Sequence, residues 1–485
     1  MVTLLIIALA ILGVPLFAIM LLSSMFVYRE AGLEMTNVFI SMTDLMTKPF
    51  LIPIPLFTIA GFLLANSSSP RRIIRFTEAW FGPIPGGLGM VAVLTLTGFT
   101  AFTGASGVTI VALGGLLMPI LLQNGYPERK ALGVLTSSGS LGLLYFPSLP
   151  VFILSTIYSL SSPDQPLSPD RVFLGGIVPG TLLVVFYAIY QYYLGKTIPS
   201  IKKHTFDKAK AIASFKPIIG ELLLAPLILI LLQSGVISLN DISLIILIYF
   251  FVLSVFIRRD VSLFKDMPKI LFDSMSLVGA IAMILSVILG MNNYLIQEEI
   301  PQQILGVIEQ YISSPAAFLF YLNIFLLIVG CLMDVFSATL AVLPLLIPLA
   351  DKYGISPVHL SVIFLANLEI GYLTPPVGMN LFISSFQFKK PAVEIYKSVV
   401  PYIALLLVAL GIITYIPAIT ESVPNAILGE QQSLHFNPIT DLDPSAPEVA
   451  PGGDSDSGDL GGSDSGDLGG SGGAPAAEPD SGALE

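Results

Sequence analysis

The sequence predicts an all-α polytopic membrane protein, an inverted-topology repeat with two re-entrant hairpins and two broken helices. Three observations predict it. Hydrophobic side chains make up 54% of the 485 residues and charged ones only 11%, against about a quarter charged in soluble domains. Apolar stretches long enough for a bilayer, about 20 residues at 1.5 Å rise each, recur along the chain. Comparing the chain with itself at a spacing of 229 residues brings glycines and prolines into register, as with Gly61 and Gly290.

The spans follow in order. Full crossings are predicted near residues 3–27, 50–67, 130–157, 171–194, 217–236, 242–257, 275–296, 358–386 and 396–418. The first has no basic leader and no small-residue cleavage site ahead of a polar domain, so it reads as a retained helix. The stretches 88–122 and 313–350 are too long for one crossing. Small polar clusters, Thr103–Gly107 and Met333–Ser337, interrupt them, so each suits either two crossings or a hairpin that dips halfway in and returns. With both treated as hairpins, 18 basic residues, among them Arg72, Arg75, Lys202, Lys210 and Lys390, fall on one side. Arg29, Lys48, Arg171 and Lys352 fall on the other. The positive-inside rule then puts the N-terminus in the cytoplasm and the C-terminus outside.

At the 229-residue spacing Pro119 also meets Pro348, Gly125 meets Gly354, Gly142 meets Gly371 and Pro147 meets Pro376. Each half holds four crossings and one hairpin, so the second enters the membrane upside down, the arrangement of many secondary transporters. The organisation is a first repeat over 1–216 with its hairpin near 88–122 and a following cytoplasmic loop. A linking helix at 217–236 and a second repeat over 237–420 with its hairpin near 313–350 come next. From 430 to 485 the chain is acidic and rich in Gly, Ser and Asp, with Ser-Asp-Ser-Gly-Asp-Leu-Gly-Gly occurring twice. That composition predicts a disordered tail. The formal charge of −11 is a property of this end, since residues before Glu421 carry 22 basic against 20 acidic groups. Neither nucleic acid nor an acidic ligand is implied by such a balance.

Two spans cannot remain regular helix. Ser137–Ser148 contains Gly139, Gly142 and Pro147; Asn367–Asn380 contains Gly371, Pro375, Pro376 and Gly378. Proline removes an amide donor and crowds the preceding turn, and glycine loosens it. Unwound backbone at membrane depth is tolerated where protein or water surrounds it, so these breaks point to a cavity. Free carbonyls there suit a small cation, and half-helix N-termini attract an anion. Asp334 and Glu369 are the acids that the span map places deep in the second half, and an ionised carboxylate in hydrocarbon costs at least about 2.5 kcal/mol, so each should face an interior partner. The alternatives are that Asp334 caps the following helix beside Ser337 and that Glu369 bonds loosened backbone amides. Thr103, Ser106, Asn367, Thr374 and Asn380 could complete cation or substrate shells, or bond back to their own helices. Asn292 and Asn293 line a cavity or mark an interface.

Enzyme chemistry finds no footing. There is no His-Glu-x-x-His and no Walker glycine loop, and the one Gly-x-Ser-x-Gly match, Gly469–Gly473, lies in the low-complexity tail. His204, His359 and His435 fall in predicted loops or near a helix start, where exposed side chains are expected. Cys331, the only cysteine, excludes an internal disulfide and is expected to pack. An intramembrane hydrolase using Asp334 with Glu369 lacks an activated water or oxyanion donor. A stand-alone ion-coupled anion transporter or exchanger of the same fold remains the closer competitor.

The run Asn367-Leu-Glu-Ile-Gly-Tyr-Leu-Thr-Pro-Pro-Val-Gly-Met-Asn-Leu-Phe resembles the second broken helix of the large membrane subunit of tripartite ATP-independent periplasmic (TRAP) transporters. Gly104-Ala-Ser-Gly followed by Pro119 and Gly125-Tyr126, and Met333-Asp334 before Pro344 and Pro348, add to the resemblance over residues 1 to about 420. It implies an elevator-type importer, with a scaffold and a moving transport domain, in the bacterial inner membrane. Sodium is the implied coupling ion, with no other cofactor. The implied substrate is a small organic acid such as sialic acid, a C4-dicarboxylate or a keto acid. A small four-helix membrane subunit and a periplasmic substrate-binding protein are the implied partners. Cation binding falls to Thr103, Gly104, Ser106, Gly142, Asp334, Ser337, Asn367, Gly371 and Thr374. Substrate binding falls to Ser106, Ser140, Pro147, Glu369, Thr374, Pro376 and Asn380.

Overall fold

The computed structural model describes residues 16–30, 32, 34–46, 52–163, 165–202, 205–233, 239–297, 312, 314–375 and 378–429. Pro376, His204, His435, most of the first predicted span's N-terminal half and the acidic tail lie outside them. So do the side chains of Asn292 and Asn293.

The described chain is helical throughout, with no strand among the described residues. It opens with α1 (Leu16–Glu30), α2 (Thr36–Met46) and α3 (Pro53–Asn66). The short α4 (Ser69–Phe81) carries Arg71, Arg72 and Arg75. The charge-rich stretch that reads as a loop is thus an amphipathic helix, its apolar residues recurring at helical spacing between the arginines. Then come α5 (Gly87–Thr103) and α6 (Ser106–Gln123). The next predicted span divides into α7 (Glu128–Ser137), a 3₁₀ turn (Leu141–Leu144) and α8 (Leu149–Ser161). After α9 (Pro169–Thr197), α10 (Lys208–Gln233) begins well ahead of the apolar run at 217. Helix α11 (Leu239–Phe251) continues as a π-helical stretch (Val252–Ile257), and α12 spans Met267–Gln297. The chain then runs through α13 (Pro315–Leu332), α14 (Val335–Lys352), α15 (Pro357–Gly371), α16 (Met379–Phe388), α17 (Ala392–Tyr415) and α18 (Ala418–Leu428).

Among the described residues, five helices, α6, α9, α13, α14 and α17, are long and apolar enough to cross a membrane, and α7 with α8, bent by 43°, counts as a sixth if taken as one span. The predicted crossing at 358–386 is two pieces. Helix α15 ends at Gly371, and α16 starts after Gly378, whose backbone is left-handed (φ +49°).

Helix boundaries recur at the 229-residue spacing. The break after Thr103 corresponds to the break after Leu332; α6 and α14 end at Gln123 and Lys352; α7 and α15 begin at Glu128 and Pro357. Packing recurs with partners exchanged: α3 lies on α11 as α12 lies on α1, α8 on α14 as α16 on α6, and α7 on α17 as α15 on α9. Close approach of backbone recurs too. A Cβ on Gly142 would stand 2.5 Å from the Ala101 amide nitrogen, and one on Gly371 2.5 Å from Cα of Gly330. No side chain fits at either place, so glycine permits both contacts.

Buried apolar residues from α3, α5–α11 and α13–α17 form one continuous core. Exposed apolar side chains such as Ile189, Tyr193, Phe320 and Phe325 cover outward faces of α9 and α13, as expected for helices solvated by lipid.

Candidate functional site

The α5–α6 and α13–α14 breaks open onto one cavity of about 800 Å³. Gly104, Ala105, Ser106 and Gly107 line it from the first break, and Asp334, Val335, Phe336 and Ser337 from the second. Gly104 ends α5 with left-handed backbone (φ +63°), and its α-carbon faces the Leu149 backbone. Helices α3 and α12 add Phe62, Asn66, Asp273 and Leu277 to the lining.

Asp334 is the N-cap of α14. One carboxylate oxygen accepts from the amides of Phe336 (2.9 Å) and Ser337 (3.1 Å), and the other accepts from the Ser337 hydroxyl at 2.6 Å. The capping alternative is therefore what the geometry realises, and the carboxylate still faces the cavity. The Val335 amide donates to the Tyr372 hydroxyl, which ties the second break to the unwound segment after α15. The Gly378 amide donates to the Cys331 carbonyl at 3.1 Å across the same junction. Cys331 packs in this core, 7% exposed.

At the first break the Ser106 hydroxyl donates to Asn380 Oδ1 at 2.8 Å, joining α6 to α16 across 274 residues of sequence. Nδ2 of Asn380, fully buried, has no partner among the described residues. The start of α6 has no side-chain cap, so its first amides face the cavity uncompensated by any carboxylate of the kind that α14 carries. The two breaks thus differ in charge: α14 presents an anion, α6 the positive end of a helix.

The remaining predicted residues divide. Thr103 bonds Thr109 at 3.3 Å and stays inside the hairpin. Gly142 is pressed against α5 and Gly371 against α13, so both serve packing rather than the cavity wall. Thr374 donates back to the Ile370 carbonyl at 2.9 Å. Asn367 donates to Asn323 Oδ1 at 2.7 Å and to its own helix at Ile363, while Asn323 bonds Thr414. It joins α15 to α13 and α17 rather than reaching the cavity, because at its place on α15 the side chain faces α13. Pro147 follows a cis peptide bond and is buried. Ser140 and Glu369 are fully buried, and neither the Ser140 hydroxyl nor either Glu369 oxygen has a partner among the described residues. Glu369 stands within electrostatic reach of Tyr145, Tyr187 and Tyr372. Among the described residues it bonds no loosened amide. Glu369 is not among the residues that line the cavity with Asp334.

Two expectations are corrected. His359 is not exposed: it is 2% accessible, with its ring nitrogens on the Thr420 hydroxyl (2.9 Å) and the Thr414 carbonyl (3.1 Å). Helix α18 folds back over the start of α15 and covers it. Asp273, outside the predicted spans, is a second carboxylate on the cavity wall. It escaped notice because α12 begins eight residues before the apolar run at 275. Asn66, at the end of α3, is likewise a wall residue that apolar patterning does not mark.

Residues 3–419 match the family model described as tripartite ATP-independent periplasmic transporter, DctM component. The chain is 33% identical over 377 residues to the C4-dicarboxylate TRAP transporter large permease protein DctM of Pseudomonas aeruginosa, spanning 77% of this chain and 86% of that one. It is 30% identical over 449 residues to the protein of the same name from Vibrio cholerae, spanning 88% and 97%. Among solved structures, the YdaH transporter of Alcanivorax borkumensis has a similar fold. Its TM-score is 0.58 at 13% identity, over 78% of this chain and 86% of that one.

Proposed function

Because the chain belongs to the TRAP transporter family as a DctM-type large permease, we propose that it takes up a small organic acid, driven by sodium, by an elevator movement. It is a multi-pass membrane transport protein rather than an enzyme. The observation that carries the reading is the single cavity shared by the Gly104–Gly107 and Asp334–Ser337 breaks. Asp334 and Ser337, with Gly104 and Ser106, line that cavity and supply the oxygens for cations. The uncapped start of α6 at Ser106 supplies the pole for a carboxylate. Asn380, whose buried Nδ2 has no partner among the described residues, completes the substrate region beside Ser106.

The recurrence of helix boundaries and the exchange of packing partners support two copies of one fold, inverted across the bilayer. Helices α3 and α12 then act as the scaffold wall against which the hairpins move. The C4-dicarboxylate transport named for the relatives favours a carboxylate substrate, with sialic acids and keto acids in the same class. A periplasmic binding protein delivers it, and a small four-helix membrane subunit completes the complex in the bacterial inner membrane. The N-terminus is cytoplasmic and the C-terminus periplasmic. Uptake in proteoliposomes tests this: accumulation should require both an inward sodium gradient and the added soluble protein. Accumulation without the soluble protein would favour the stand-alone exchanger, and accumulation indifferent to sodium would remove the coupling ion.

A further inference from the structure

A second cavity lies away from the transport site, in a groove of about 570 Å³ between α4 and the start of α10. Helix α4 supplies Arg72, Arg75 and Glu78, Gly82 follows at its end, and α10 and the turn before it supply Asp207, Lys210 and Ser214. Its charged side chains differ in how far they are engaged. Arg72 is spent, since its guanidinium holds Glu221 at 2.7 Å and Asp260 at 2.6 Å. Arg75 and Glu78, one turn apart on α4, make no side-chain hydrogen bond or ion pair among the described residues, although both line the groove. Lys210 is only loosely engaged, its Nζ 3.6 Å from Asp207 with both side chains largely in the open.

The groove opens beside an apolar surface. Trp80, the chain's one tryptophan, packs edge-on against Phe215 at 5.3 Å and Phe206 at 6.3 Å, and all three remain 37 to 54% exposed. Further along α10, Ile219 and Leu223 are each 53% exposed. Pro217, on the groove wall, is the first residue of the apolar run, and Lys210 stands seven residues earlier, about 10 Å along the helix. Exposed aromatics beside charged side chains at this depth mark the level of lipid headgroups.

We propose that this groove holds the headgroup of a zwitterionic phospholipid bearing a primary ammonium. Its phosphate lies against Arg75 and Lys210, its ammonium donates to Glu78, and its acyl chains lie along Trp80, Phe215 and Ile219. Opposite charges that stand close yet unpaired on one wall match a ligand that carries both signs a few ångströms apart. A purely anionic headgroup would leave Glu78 opposed, and a quaternary ammonium has no N–H to donate to it.

Native mass spectrometry of the full-length, delipidated protein, offered equal concentrations of phosphatidylethanolamine, phosphatidylcholine and phosphatidylglycerol, tests the assignment. Phosphatidylethanolamine should be retained about tenfold over the other two, the scale of one charge-assisted hydrogen bond. Arg75→Gln should lower its retention about tenfold, and Glu78→Gln should bring it down to the level of phosphatidylcholine. Lys210→Gln, on a side chain 82% exposed and thus without consequence for folding, should weaken retention in the same direction as Arg75→Gln. Equal retention of the three lipids, a preference for phosphatidylglycerol, or a preference unmoved by all three substitutions would overturn the proposal.

Discussion

Asp334 joins two roles in one side chain. Its oxygens close the first turn of α14, and it lines the cavity that Asp273 also lines. The two roles separate by mutation, because asparagine caps a helix about as well as aspartate whereas alanine does not. Asp334→Asn should therefore raise the sodium concentration needed for half-maximal uptake about tenfold while leaving thermal unfolding nearly unchanged. Asp334→Ala should add a stability loss of about 1 kcal/mol. Sodium titration of uptake, paired with thermal unfolding, checks both, and an unaltered sodium response in Asp334→Asn would take Asp334 out of the cation site. The same scale explains why several predicted residues stand elsewhere. Side chains such as Thr374 and Asn367 find acceptors on their own or adjacent helices, and a hydroxyl's choice between helix and ligand is invisible in a string of letters.

Among elements, α4 is pinned by charge rather than by apolar burial alone. Arg72, at its N-terminal end, bonds Ser68, Ser69, Glu221 of α10 and Asp260 after α11, so three segments meet at one guanidinium. Glu221 is only 6% exposed, and Arg72→Ala would strand it, at a cost of about 3 kcal/mol. Burial alone would raise the Asp260 carboxyl. The hydrogen bonds from Ser68 and Arg72, with the charge of Arg72, outweigh that and hold it below the usual carboxylate range. A depressed carboxyl stabilises the fold above its unfolded value of about 3.9, and the contribution disappears as pH falls through the lower folded value. The unfolding midpoint should thus drop steeply below about pH 4, and Asp260→Asn should flatten that drop. A midpoint with the same acid dependence in both proteins would deny the link its role.

At the scale of the molecule, the proposed orientation makes the turn between α9 and α10 cytoplasmic. Lys202 lies there, exposed, with its Nζ on the Gln123 carbonyl at 2.9 Å. Because Cys331 is the sole cysteine and is buried, Lys202→Cys provides a single accessible thiol. A membrane-impermeant maleimide should modify it in inside-out vesicles and spare it in intact cells; modification from outside would invert the assigned topology. The two proposed copies are joined where their interruptions meet, at the Ser106–Asn380 bond and in the common cavity. Coupling of cation and substrate in the proposed mechanism needs that proximity, since each ligand alters the field felt by the other.

Residence in a membrane and the positions where helices break were legible in the sequence. Each depends on local chemistry: apolar transfer over some twenty residues, the missing proline donor and the steric freedom of glycine. Even so, α4 and the early starts of α10 and α12 were hidden, because polar amphipathic helix looks like loop to an apolar count. Which polar groups share the cavity was decided by tertiary structure alone. Asn367 turns to Asn323, His359 disappears beneath α18, and Asp273 arrives from a helix 61 residues before Asp334. The azimuth of a side chain on its helix, and the neighbour that covers it, follow from how helices pack, and residues far apart in the chain make that choice together.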